Sequence, residues 1–199
     1  MKDAEDTFHQ ALEANPKMGA ALNSLGVIAL SRGDSDAAEG LVRRGLELEP
    51  DLRTGKFNLA RIREARGDVT VALDLYREEL ERYPDNGKAR FNIAQIYRER
   101  GDRGDYLREL SASIEKAPEF GPSFFFLARE RLSAGDLEVA ADLARRGLAA
   151  EPGSEVAPLG HYVLADVYTR QGQPAKAQEE VEKAKRLEAA LRSHPRPAV

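Results

Sequence analysis

Apolar positions recur along this chain in columns 34 residues apart. Leu25, Leu59, Ile93 and Leu127 form one column, and each is followed by a small residue: Gly26, Ala60, Ala94 and Ala128. A second set begins with Ala38, Ala72 and Ala140, with Tyr106 in the same place. It continues with Gly45 and Gly147 against Glu79 and Ser113, then Leu46, Leu80, Ile114 and Leu148. Within each set the apolar residues fall at helical spacing. Small residues let neighbouring helices approach closely. A fixed interval of this kind predicts hairpins that bury their faces against the next hairpin.

The breakers share the interval. Pro16, Pro50, Pro84, Pro118 and Pro152 each close an apolar helical pattern, because proline cannot continue a helix. Half an interval away stand Gly33, Gly67, Gly101 and Gly135, each followed by an aspartate: Asp34, Asp68, Asp102 and Asp136. Glycine accepts the left-handed conformation that ends a helix. The aspartate carboxylate can cap the free N–H groups of the next helix. One unit therefore reads helix, Gly-Asp turn, helix, Pro turn.

These signals predict complete units over 19–52, 53–86, 87–120 and 121–154. A fifth, over 155–192, carries a short insertion in GSEVAP before Leu164, Ala165, Tyr168, Gly172, Ala177 and Ala184 return to register. Pro174 is placed at the start of the last helix, which is expected to end near Leu191. Residues 193–199 read as a frayed tail. Residues 1–16 fit the second helix of a unit whose first helix is missing, with Ala4, Phe8 and Ala11 in its columns. That implies either a start inside a longer array or a capping helix. The expected total is ten helices in five hairpins plus one leading helix, all-α.

Composition narrows the function. Charged residues make up 32% and apolar residues 42%, with a net charge of −4 from interspersed signs. This gives no general attraction to nucleic acid or anionic lipid. Cysteine is absent, which excludes disulfides and thiolate metal sites and suits a cytoplasm or a periplasm equally. The stretch KDAEDTFHQ after Met1 has no apolar signal core, which tilts the reading towards the cytoplasm; a fragment of an exported protein is the other reading.

The columns resemble the tetratricopeptide repeat family, whose pattern is a large residue, Leu-Gly/Ala, an aromatic, then Gly, Ala, an aromatic, Ala and Pro across 34 residues. The resemblance spans nearly the whole chain. No unit has the frequent tryptophan, and the aromatic after Leu-Gly/Ala is kept only at Tyr97 and Tyr168. It implies a right-handed superhelical solenoid whose concave wall, built from the first helix of each unit, binds an extended peptide or a partner helix. The expected role is a protein–protein interaction scaffold, with neither catalysis nor a cofactor. The alternative is a non-catalytic recruiting or self-assembly arm of a larger enzyme.

Chemical motifs are sparse. Four Arg-Gly-Asp triplets occur, and three coincide with the repeat turn, where turn chemistry alone demands Gly and Asp. His9, His161 and His194 fall in different units and the tail, with no metal-site, nucleotide-loop or nucleophile-elbow spacing. The acidic pairs Glu78–Glu79 and Glu179–Glu180 read as solvated outer faces.

The candidate site lies on the first helices. Asn58 and Asn92 share a column, and an asparagine amide can bond a peptide backbone whatever its sequence. Arg61, Gln95 and Arg129 form another column, with Lys88 and Arg98 nearby, and guanidinium groups suit carboxylates. The partner is thus expected to be a protein or peptide, possibly acidic, with no nucleic acid and no membrane insertion. A weak homodimer through the N-terminal half-hairpin at Phe8, Ala11 and Leu12 is a further expectation. The family's two-carboxylate clamp is matched only at Asn58 and Lys88; Asn23 and Val27 stand where its first pair belongs, and Asn92 replaces its arginine, which argues against that ligand. Phe124, Phe125 and Phe126 span about 200° of a helix and cannot all face one core. Phe124 is assigned between units and Phe125 to a stripe with Phe57 and Phe91 near the groove edge. Phe126 is either ligand-facing or covered by the fifth unit.

Overall fold

The computed structural model describes residues 2–193, and within them it contains eleven α-helices and no strand. The tail expected at 194–199, with His194, lies outside the described residues. The chain divides after Pro84 into two compact units. The first holds α1 (Lys2–Ala14), α2 (Gly19–Ser31), α3 (Ser35–Leu48), α4 (Gly55–Ala65) and α5 (Val69–Arg82). The second holds α6 (Gly87–Arg100), α7 (Arg103–Lys116), α8 (Gly121–Ser133), α9 (Leu137–Ala150), α10 (Ala157–Arg170) and α11 (Pro174–Ser193). Consecutive helices pair as hairpins, α2 with α3, α4 with α5, α6 with α7, α8 with α9 and α10 with α11. Within each unit, alternate helices stack as well: α2 on α4, α6 on α8, and α8 on α10.

Every hairpin turns on a left-handed glycine. Gly33, Gly67, Gly101, Gly135 and Gly172 have φ between +70° and +87°, where a Cβ would be strained. The next residue closes the turn by donating to a carbonyl five residues back, as in Asp34 N–H to Ala29 at 3.0 Å and Asp102 N–H to Tyr97 at 2.9 Å. The expected aspartate caps form only once: Asp34 accepts from Ala37 N–H at 3.0 Å. Asp68, Asp102 and Asp136 make no such bond. Arg63 and Arg131, five residues upstream, draw the Asp68 and Asp136 carboxylates at 3.2 and 3.4 Å, so charge pairing displaces the cap.

The opposite ends use longer-range caps. Glu49, at the end of α3, accepts from Gly19 N–H at 2.7 Å, and Glu151 accepts from Gly121 N–H at 3.1 Å. Each carboxylate meets the positive end of its hairpin partner. Tyr83 replaces that glutamate after α5, and Glu79 takes over the cap. It is 1% exposed and accepts from Thr54 N–H at 2.9 Å and Phe57 N–H at 3.2 Å. Thr54 is held at φ 67°, the one non-glycine residue with positive φ among those described. Glu79 is therefore not the solvated acid expected. Glu180 is also buried, because His161 Nδ1 lies 2.6 Å away and Lys183 bonds its other oxygen at 2.8 Å.

The small columns are the closest approaches. Ala38, Ala60, Ala72, Ala94, Ala128 and Ala140 are fully buried, and Tyr106 fills the alanine position of its repeat. In the first unit Ala38, Val42, Leu59 and Ile62 make a compact core. In the second, Tyr106, Leu110, Phe124, Leu127, Leu143, Val163 and Val167 are members of a larger one. Phe125 is fully buried, not at a groove edge. A Cβ on Gly147 or Gly160 would come within 2.7 Å of its ring, so two glycines make its seat. The leading helix α1 packs on α2 with Phe8, Ala11 and Leu12 half-buried.

Candidate functional site

In the first unit, two expected site residues have different fates. Asn58 is 5% exposed and donates through Nδ2 to Asn23 Oδ1 at 3.0 Å, while Asn23 lies 3.4 Å from Thr54 Oγ1. Its amide thus links α4 to α2 instead of standing open to a peptide, which corrects the expected asparagine ladder. Arg61 is half-buried, its guanidinium 5.9 Å from the centre of the Phe57 ring, with no ion pair among the described residues.

Several other arginines of that unit are held in ion pairs. Glu39, itself buried, receives Arg43 at 2.7 Å and also Arg63 and Arg66, and Arg66 pairs with Asp36 as well. Burial is the largest single influence on the Glu39 carboxyl and raises its pKa. Arg43, Arg63 and Arg66 together outweigh it and hold the group below its ordinary value. The Arg-Gly-Asp triplets at Arg32 and Arg66 are explained by the same pairing: Arg32 bonds Glu5, Arg66 bonds Asp36 and Glu39, and each glycine makes the turn.

The second unit gathers the rest on α6 and α8. Lys88, Phe91, Asn92, Gln95 and Arg98 recur at three- and four-residue spacing and so share one face of α6. Phe126 and Arg129 face them from α8. The Phe126 ring meets Phe91 edge-on at 5.1 Å, with Arg98 5.4 Å and Arg129 4.9 Å from its centroid. Phe126 is half-buried, so the irregular fifth repeat does not cover it fully. Lys88, Arg98 and Arg129 have no ion pair among the described residues, whereas Arg90, Arg103 and Arg131 of the same unit pair with Glu109, Glu130 and Asp136.

Sequence columns missed one group here. Tyr106, on α7, is 2% exposed and its hydroxyl has no hydrogen-bond partner. Burial raises its pKa, Glu130 adds to that, and the nearby guanidiniums of Arg129 and Arg98 act the other way. The Gln95 side-chain nitrogen is also buried without a partner. The signal for Tyr106 was its place in an alanine column. Arrangements suited to a metal ion are missing among the described residues, and no described helix is long and apolar enough to cross a membrane.

Stacked helix–turn–helix hairpins define an all-α helical repeat protein, a class that serves as a protein-interaction scaffold. The tetratricopeptide repeat model matches residues 2–52, 57–123 and 127–187, and the chain belongs to that family. Among curated proteins none matches the chain. Among solved structures, yeast Tom70 resembles it with TM-score 0.77 and 16% identity, over 95% of this chain and 41% of that one. BtubC from P. vanneervenii has TM-score 0.65 and 20% identity, over 98% and 91%. YrrB, described as a tetratricopeptide protein with an unusual peptide-binding site, has TM-score 0.55 and 17% identity, over 92% of each. At these identities the likeness is one of fold.

Proposed function

We propose that this scaffold binds an extended, acidic peptide segment of a partner protein along the α6/α8 face of its second unit. The observation that supports it is the pair Arg98 and Arg129, both within cation–π distance of Phe126 and both lacking a carboxylate partner. Stacking on a ring restrains a guanidinium before any ligand arrives, which lowers the ordering cost of binding. Its donor fork then fits a carboxylate bidentately. Asn92 lies half-buried on the same face, and exposed Lys88 extends the basic strip. Arg61 over Phe57 is a smaller version in the first unit, a secondary contact on this reading. A peptide-binding site in YrrB, a protein of the same fold, is consistent with such use.

The test is a photo-crosslinking amino acid placed at Phe126 and, separately, at exposed Val139 on α9, in source-cell extract. The reading expects an adduct to a defined acidic segment from position 126, absent from position 139. Equal adducts from both positions, or adducts to segments without acidic residues, would contradict it.

A further inference from the structure

Four donor groups on and behind the α6/α8 face have no acceptor. Arg98 and Arg129 carry two positive charges with no ion pair among the described residues. The Gln95 amide nitrogen, one helical turn from Arg98, is buried and unbonded. The Tyr106 hydroxyl is also buried and its proton has no acceptor, and both guanidiniums are close enough to act on its ionisation. Even where Arg129 approaches the Tyr106 oxygen, a guanidinium can only donate, so the phenolic proton still lacks an acceptor. Buried donors without partners carry a desolvation cost that a native fold seldom leaves uncompensated. Glu130, the nearest acid by its influence on Tyr106, is paired with Arg103 at 3.2 Å.

We infer that Gln95, Arg98, Tyr106 and Arg129 form a subsite for a phosphomonoester on the bound peptide. This rests on the peptide-binding reading above and narrows its ligand. The charge count favours phosphate over a single carboxylate. A phosphorylated serine or threonine carries close to two negative charges near pH 7 and three acceptor oxygens. Two guanidiniums match that charge, and the hydroxyl and amide protons add acceptor-seeking groups that one carboxylate could not all satisfy. The Phe126 ring, within 5.4 Å of both guanidiniums, supplies an apolar wall, against which charge-assisted bonds are stronger than in open water.

The probe is a set of degenerate peptide pools with one fixed central residue, phosphoserine, glutamate or serine. Each pool is made with a free and an amidated C-terminus and presented to the full chain. The phosphoserine pools should be retained about tenfold above the serine pools, as one charged hydrogen bond or more would give, and C-terminal amidation should not matter. Arg98→Gln with Arg129→Gln should remove the preference. Tyr106→Phe should reduce it several-fold while the melting temperature stays level or rises, since the hydroxyl proton lost has no acceptor. Serine and phosphoserine pools held equally through Arg98 and Arg129 would overturn the phosphate subsite and leave peptide binding standing. A requirement for the free C-terminus would do the same in favour of a terminal carboxylate. Retention of no pool at all would sink both.

Discussion

Glu39 and Glu79 are both buried carboxylates on second helices, and they are held in different ways. Glu79 spends its oxygens on two backbone N–H groups at the start of α4. Glu39 is surrounded by Arg43, Arg63 and Arg66 and sits below its ordinary pKa despite burial. A carboxyl depressed in the folded state adds stability that is present above its unfolded pKa, near 4.5, and is lost as pH falls through the lower folded value. The urea midpoint of the first unit should therefore fall steeply below about pH 4.5. Glu39→Gln should lower stability at pH 7 and flatten that acid limb; an unchanged limb would show that the arginines do not hold the charge. Neither burial was legible beforehand. Glu78 and Glu79 are adjacent acids on one helix, and only the absence of a glutamate at Tyr83 hinted that another carboxylate would cap α4. Asn58 misled for a related reason: its column resembles a peptide-facing asparagine, but Asn23 on the neighbouring helix lies within bonding distance and claims it.

At the scale of helices, the reading from spacing held well because it rested on periodicity and breakers rather than on single residues. The glycine turns and the buried alanine columns follow from steric demands repeated four or five times. Side-chain caps did not follow, since a cap competes with any arginine in reach, as at Asp68 and Asp136. The α11 helix also runs two residues beyond Leu191, to Ser193. Ala60 and Ala94 are fully buried between helices, so a larger side chain has no room there. Ala60→Leu or Ala94→Leu should each destabilise by about 1–3 kcal/mol. Thermal melts unchanged for both would mean that the columns do not mark helix contacts. The Phe124–Phe126 run divided as its 200° span demanded: Phe124 and Phe125 are buried and Phe126 is half-buried, so Phe125 does not have the groove-edge place expected of it.

At the scale of the whole molecule, a repeat array draws its stability from nearest-neighbour interfaces. Val163, Leu164 and Val167 of α10 belong to the second unit's core, so removing residues 155–199 strips that core of three buried side chains, each worth about 1.5–3 kcal/mol. The truncated chain should stay helical and melt earlier. Complete loss of the helical circular dichroism signal would instead indicate a single indivisible core. On the proposed reading, function at this scale depends on the basic face of α6 and α8, where the sequence column held Arg129 with Arg98 nearby, but the Phe126 ring that both cations share was not legible. Charge pairing across such a face chiefly accelerates association and weakens as salt screens it, over about 10 Å at 0.1 M. The most direct measurement is the association rate of the crosslinked acidic segment, made as a peptide, across a salt series for the wild type, Arg98→Glu with Arg129→Glu, and the outer-face control Glu138→Ala. The account predicts that the arginine reversal slows association by tenfold or more, on the order of 1.4 kcal/mol, and removes the salt dependence, while the control matches the wild type. A control that slows association as much as the reversal, or a reversal that leaves the rate and its salt slope intact, would contradict it.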